Sequence, residues 1–236
     1  MSAITAMPAM TTPTTLTLDF VSDIACPWCA VGLAALEKAI DSVKDDVKVE
    51  LHFQPFELNP GMQPGGEDII EHLGRKYRIT PEQIEQNQQH LYQRGAEAGF
   101  EFTPGARKRI FNTFDAHRLL HWAAETAGAD AQHRLKRALL DAYFKAGLDP
   151  SDPSVLRDAA IAAGLDGERA AAIVASGDYA DDVRAREQLY LDQGIHSVPS
   201  VIINGRYLVQ GGQPADVFAN ALRQIAAEPA AASTGS

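Results

Sequence analysis

The stretch LTLDFVSDIACPWCAVGLAALEKAIDSV, residues 16–43, decides the fold. Its start, Leu16–Val21, alternates apolar with polar residues, the period of a half-buried strand. From Pro27 to Val43 the period changes. Val31, Leu33, Ala34, Leu36 and Ile40 supply the apolar positions of a helix. Pro27 falls in its first turn, where a missing N–H costs nothing. Val47–Gln54 (VKVELHFQ) alternates strictly and reads as a second strand. Strand, helix and strand in this order form the β-α-β unit that builds parallel sheets.

Working outward, Asn59–Gly66 (NPGMQPGG) is a loop by composition. From Glu67 to about Gln193 every periodic segment reads as helix. Thr80-Pro81-Glu82-Gln83 is a capping box with proline at the first helical position. Helices are expected over Arg107–Ala127, Gln132–Lys145, Pro153–Ala163, Gly167–Ala175 and Asp181–Gln193, with Asp152 as an N-cap. Gly128, Gly147, Gly164 and Gly177 fall where helices end. Strand character returns at Val198–Ile203, followed by Asn204-Gly205 and Arg206–Gln210, a hairpin with a tight turn. Gly211-Gly212 breaks the pattern, and Pro214–Ala226 is a last amphipathic helix. The expectation is an α/β domain from residues 15–60 and 190–227, interrupted by an all-helical insertion at 61–189. Residues 1–14 read as a disordered N-terminus and 228–236 as a flexible tail.

The net charge of −10 argues against a nucleic-acid or anionic-membrane binder, both of which want a basic face. Two cysteines are too few for a disulfide scaffold or a four-cysteine zinc site. No run of about 18 apolar residues is present to span a membrane. Residues 1–15 hold no Lys or Arg and no long apolar run, so no secretory signal is read and the cytoplasm is the expected compartment.

The two cysteines sit together, as Cys26-Pro27-Trp28-Cys29, between the first strand and the first helix. This is C-x-x-C in the context that makes it redox-active. At a helix N-terminus, free N–H groups and the macrodipole stabilise a thiolate, and the thiolate is the nucleophile. Cys29 lies one turn further in and can reach back to resolve a mixed disulfide. The two middle residues tune the potential. A zinc half-site or a pair of inert core cysteines is the alternative. A zinc site would need His117 and His121, which read first as core or groove-lining histidines one helical turn apart, and no metal is expected.

Strand-then-CPWC, the helical insertion, and Val198-Pro199 before a hairpin resemble the thioredoxin superfamily, and the insertion resembles its DsbA-like branch. SDIACPWC (Ser22–Cys29), PFELNP (Pro55–Pro60), NTFDAHRLLHWA (Asn112–Ala123) and GGQPADVF (Gly211–Phe218) are similar to the FrnE-like subgroup of DsbA-family oxidoreductases. The resemblance covers about residues 16–226. It implies a thioredoxin fold with a large helical insertion, Cys26 as attacking thiol and Cys29 as resolving thiol. It also implies that Pro199 is a cis-proline facing the disulfide, where a substrate chain pairs with the neighbouring backbone. Pro27, Trp28, Val198, Pro199, His196 and His117 are the expected substrate-binding residues, with Arg118 beside His117 in the groove. His196, three residues before Pro199, would lower the Cys26 pKa if charged.

Asp19 and Asp23 are candidate proton acceptors for Cys29, though Asp23 in its Ser-Asp pair reads first as a turn residue. Phe111, Phe114 and Trp122 read as packing of the insertion. Arg107-Lys108-Arg109 reads as a solvated helix start. The function expected is thiol–disulfide exchange with protein or small-molecule thiols and disulfides, recycled by an external redox partner. No cofactor is expected, with glutathione as a candidate co-substrate. Two alternatives stand beside it. One is a glutathione-dependent isomerase or transferase, as in the related 2-hydroxychromene-2-carboxylate isomerases and kappa-class glutathione transferases, which typically carry Ser for the first Cys. The other is a non-catalytic holdase.

Overall fold

The structure, a computed structural model, describes residues 13–228. The disordered segment and the tail expected at the two ends therefore lie almost wholly outside the described residues. Thr14 is an exception, because it already begins β1 (Thr14–Ser22). Helix α1 (Pro27–Val43) follows, then β2 (Val47–Pro55), parallel to β1 with Leu18 opposite Leu51. Near the other end of the chain come β5 (Ser200–Ile203), β6 (Tyr207–Gln210) and α9 (Ala215–Ala227). The sheet order is β2-β1-β5-β6, with β5 antiparallel to β1 and β6 antiparallel to β5.

The alternation in β1 sorts two layers. Leu16, Leu18 and Phe20 pack with Leu33, Leu36 and Phe218 of α1 and α9. Val21, on the opposite face, packs with Tyr190 and Ile195. The turn between β5 and β6 runs through Asn204 and Gly205, both at positive φ, the conformation that Asn-Gly tolerates. The Asn204 carboxamide oxygen also accepts the Thr17 N–H at 3.0 Å, which fastens the hairpin to β1.

The segment between β2 and β5 is mostly helical. It contains α2 (Ile69–Tyr77), α3 (Pro81–Ala98), α4 (Phe114–Ala127), α5 (Ala129–Phe144), α6 (Pro153–Ala162), α7 (Gly167–Ala175) and α8 (Ala180–Asp192). The capping box at Thr80 forms with both of its hydrogen bonds, and Asp152 caps α6. Helices α4 to α7 share a core of their own, built on Leu119, Leu139, Leu156 and Ile173. Ile24, from the loop before the cysteines, is wholly buried in that core. The loop carrying the C-x-x-C is thus anchored in both layers.

The all-helical expectation for 61–189 needs one correction. β3 (Glu67–Asp68) and β4 (Arg109–Ile110) pair antiparallel inside it. Strands of two residues carry no periodicity. They are held by Gly66 at φ +66°, where an added Cβ would stand 2.2 Å from the Ile110 carbonyl oxygen, and by Arg109 donating to the Gly65 and Gly66 carbonyls. For the same reason the helix expected from Arg107 begins only at Phe114, whose N–H is taken by the Asn112 side chain at 2.8 Å. Strand β5 starts at Ser200 rather than Val198, because Pro199 has no N–H to give to a ladder. Among the described residues, no helix is long and apolar enough to cross a membrane.

Candidate active site

β1 ends at Ser22, and the chain turns through Asp23, Ile24 and Ala25 into Cys26, the N-cap of α1. The turn is set by Asp23, whose Oδ1 accepts the Ala25 N–H at 3.0 Å. Cys26 adopts an extended backbone (φ −87°, ψ 111°), and Pro27 opens the helix as expected of a residue with no N–H to satisfy. Both cysteines are free thiols. Cys29 is wholly buried, and Cys26 retains 4% exposure. The Val198–Pro199 bond is cis, and the Val198 carbonyl oxygen lies 3.7 Å from Cys26 Sγ. Two glycines permit this approach. A Cβ on Gly32 would stand 3.0 Å from Pro199 Cγ and 3.3 Å from Gly212 Cα, and one on Gly212 would stand 3.2 Å from the Trp28 carbonyl oxygen.

The electrostatics separate the two sulfurs. The Cys26 pKa is lowered, first by the hydrogen bond from the Cys29 side chain, then by the Cys29 backbone N–H and the Arg107 guanidinium, against burial and Asp23. Burial, and then Cys26 itself, push the Cys29 thiol well above the usual thiol range. A thiolate therefore forms on Cys26 first, and Cys29 acts as its hydrogen-bond donor.

Cys26 opens onto a hollow of about 740 Å³ that also has Trp28, His196, Ser197 and Val198 in its wall. Helices α2 and α3 roof it with Leu73, Tyr77, Ile84 and Leu91. Trp28 meets His90 edge-on, ring centres 5.9 Å apart. Lys76 crosses the rim, donating to the Leu58 carbonyl at 2.9 Å and to the Asn59 side chain at 2.7 Å. The arrangement offers a nucleophilic sulfur, a free carbonyl edge beside it and an apolar roof above it.

Of the residues singled out in the sequence, Cys26, Pro27, Trp28, His196 and Val198 gather at this hollow, and Pro199 is buried directly beneath. His196 is exposed on its wall. His117 does not line it. It is 2% exposed, and its Nε2 stands 3.7 Å from Asp23 Oδ1. Arg118 is also buried. It donates to the Ile173, Ser176 and Asp178 carbonyls and so closes the C-terminal end of α7. The Phe-Asp-Ala-His-Arg segment serves the core, because α4 turns that face toward β2 and α7. His121 lines a small cavity with His117 against β2 and meets Tyr179 with its ring tilted, centres 5.7 Å apart, and Trp122 packs in the core of the insertion. Phe111 and Phe114 are half-buried, Phe111 on Tyr143 and Phe114 beneath the Arg184 guanidinium. Asp19 accepts from Gln54 at 2.6 Å on the neighbouring strand.

Asp23 is both a turn residue and a buried carboxylate. Beyond Ala25, it accepts the Leu58 N–H at 2.7 Å and the Thr113 hydroxyl at 2.8 Å. Burial pushes its pKa up, and His117 with the Leu58 and Ala25 N–H groups outweighs that, so the net direction is down.

Three features escaped the sequence reading. Arg107 is not a solvated helix residue. Its guanidinium donates to the Ala25 carbonyl at 2.9 Å and to the Tyr143 hydroxyl at 3.0 Å, which places a cation behind Cys26. Lys136, in α5, is wholly buried. Glu57, at the groove wall, pairs with Arg184, which also holds Glu187 at 2.7 Å. Lys136 alone left a signal, since it interrupts the apolar stripe Leu135, Leu139 and Leu140. The other two depend on loops meeting in space.

Comparison with known proteins agrees with this geometry. The family model described as DSBA-like thioredoxin domain matches residues 17–223. YwbO of Bacillus subtilis (strain 168) is 29% identical over 209 residues, covering 88% of this chain and 96% of YwbO. The crystal structure of probable DsbA oxidoreductase SCO1869 from Streptomyces coelicolor superposes with TM-score 0.81 at 34% identity, covering 91% of this chain and 92% of the other. The cytosolic disulfide reductase DsbM from Pseudomonas aeruginosa, solved with GSH, has the same fold at TM-score 0.59 and 19% identity, covering 89% and 98%. The chain belongs to the DSBA-like thioredoxin domain family.

Proposed function

We propose that this protein is a thiol–disulfide oxidoreductase of the FrnE-like type, working through a mixed disulfide on Cys26. The observation that carries the reading is the position of Cys26 Sγ. Its residue is the N-cap of α1, and the sulfur stands 3.7 Å from the Val198 carbonyl beside Pro199 and has Cys29 behind it as hydrogen-bond donor. The Cys26 thiolate attacks a substrate disulfide and expels one sulfur. Cys29 then attacks Cys26 Sγ, releasing the second substrate sulfur and closing the internal disulfide. The reverse sequence oxidises a dithiol. The Val198 carbonyl and N–H edge offers an extended chain a partner during either step.

Substrates in this reading are protein or small-molecule thiols and disulfides. The hollow of about 740 Å³ is of the size that holds a small ligand, which supports glutathione as a co-substrate. The proposed setting is the cytoplasm, with an external thiol partner recycling the couple. The fold neighbour DsbM carries the description cytosolic and was solved with GSH.

The test is capture of the intermediate. Cys29→Ser protein mixed with oxidised glutathione should gain one glutathione, mapped by peptide mass spectrometry to Cys26, and Cys26→Ser should gain none. Absence of any adduct on the Cys29→Ser protein, with Cys26 still open to alkylation, overturns the proposal.

A further inference from the structure

Lys136 sits in the middle of α5 with no exposed surface, and its Nζ has no hydrogen-bond partner among the described residues. Its place is fixed one turn earlier. Gln132 clamps the backbone of Phe53, accepting from its N–H at 2.9 Å and donating to its carbonyl at 2.9 Å. The next turn of α5 then lies over β2, with Lys136 Nζ 5.9 Å from the centre of the Phe53 ring. Phe53 packs in the same core as Cys26 and Cys29.

The ionisable groups that act on Lys136 are Cys29 and Cys26 from α1 and Asp23 from the turn before it. The other elements packed on α5 direct their charges elsewhere. On β2, Lys48, Glu50 and His52 line an outer hollow, with Lys48 on Glu50 at 3.4 Å. On α4, His117 faces Asp23 and Arg118 is spent on α7 carbonyls. On α6, Arg157 and Asp158 are exposed and pair at 2.8 Å. On α5 itself, His133 and Arg137 hold Glu37 of α1, each at 2.5 Å.

A buried cation without a partner is costly, so its presence beside a dithiol asks for a use. Cys29 must lose its proton before it can attack, and burial resists that loss. Asp23 is a poor receiver, because its oxygens already accept from Ala25, Leu58 and Thr113. Lys136 has no such engagement.

We propose that Lys136 is the ionisable partner of Cys29 and holds the proton that Cys29 gives up in the resolving step. The proposal rests on the exchange reading above. In that step Lys136 starts as the neutral amine, the Cys29 S–H bond breaks, and its proton is kept at Lys136 Nζ as an ammonium. A bond forms between Cys29 and Cys26 as the bond from Cys26 to the substrate sulfur breaks. The two cysteines are oxidised, and the substrate sulfur leaves as a reduced thiolate that takes a proton from solvent. The pair loses one proton to reach its reactive state, and that loss is a property of the pair rather than of either residue. Burial brings Lys136 down to about 8, near the pH at which the reaction would run.

The experiment uses the full chain and oxidised glutathione. Reduced protein is mixed with an excess, quenched in acid at intervals, and the mixed and internal disulfides are counted by mass spectrometry between pH 6 and 10. In Lys136→Met, closure of the internal disulfide should fall by about 10²-fold at neutral pH, with its pH profile displaced upward. Attack by Cys26 should keep its wild-type rate. Lys136→Gln supplies the same reading should the methionine variant fail to fold. Closure at the wild-type rate, or slower closure with an unmoved pH profile, overturns the proposal. Wild-type protein that forms neither disulfide overturns the exchange reading itself, and this proposal with it.

Discussion

Cys26 and Cys29 share one helix turn, and the two sides of that turn differ in nearly every physical respect. The groove side is made by loops under two helices of the insertion. It brings the Val198 carbonyl, Arg107 and the roof of α2 and α3 to a sulfur that is still reachable. The core side is made by secondary structure. It surrounds the second sulfur with β2, α5 and a carboxylate locked by three hydrogen bonds. One cysteine is consequently lowered in pKa and the other raised, although only two residues separate them. The difference teaches that the asymmetry of the couple does not reside in the Pro-Trp dipeptide alone. Burial of Cys29 and the coupling of the two sulfurs supply most of it, while Lys136 of the insertion works against it by favouring the Cys29 thiolate.

The most damaging way to break the comparison is to remove the groove-side sulfur. Cys26→Ser should abolish exchange altogether, measured as reduction of a model disulfide, and leave the fold intact by circular dichroism. Next comes the anchor. Ile24→Ala deletes a wholly buried side chain that ties the active-site turn to the insertion, and should cost about 3 kcal/mol in urea unfolding. A loss below about 1 kcal/mol would mean that the turn is not anchored there.

Lys136→Met tests the core side by the sign of its effect. In the folded protein Lys136 holds its proton less tightly than in the unfolded chain, about 8 against 10.5. Folding is thus penalised in full below pH 8, and the penalty fades as pH rises toward 10.5. The methionine variant should be more stable than wild type by about 2–3 kcal/mol at pH 7, and the gain should shrink across that window. Paired denaturant titrations at pH 7 and pH 10 check this. The smallest effect belongs to Arg107→Gln, which removes the cation behind Cys26. Its alkylation at pH 6 should slow about twofold to fivefold, because less of the sulfur is thiolate.

The two halves of the site also differ in how far the sequence disclosed them. The α/β frame was legible because its elements carry their own signals, such as the alternation in VKVELHFQ, Pro27 at a helix start and Asn204-Gly205 at a turn. The capping box at Thr80 and the cap at Asp152 were legible for the same reason. Cys26 and Cys29 could be read because the chemistry and the helix start lie together in four consecutive residues. His117 and Arg118 misled, since a polar residue on an otherwise apolar helix face can point to a groove or to a buried partner, and only the packing of α4 decides. Arg107 was hidden because residues 107–113 look helical by composition and are held extended by hydrogen bonds to Ala25 and Tyr143, far away in sequence. Asp23 reads as a turn residue, and it is one. Its second role as a buried acceptor comes from Leu58 and Thr113, which no local pattern connects to it.

The central claim is that Cys26 and Cys29 form one reversible couple. The most direct measurement equilibrates the full chain across glutathione redox buffers, with alkylation counting free thiols and Trp28 fluorescence following the turn between the sulfurs. A single transition is expected in which both thiols disappear together, reversed on adding reductant and absent in Cys26→Ser. Two thiols that remain open to alkylation at every ratio of oxidised to reduced glutathione would contradict it.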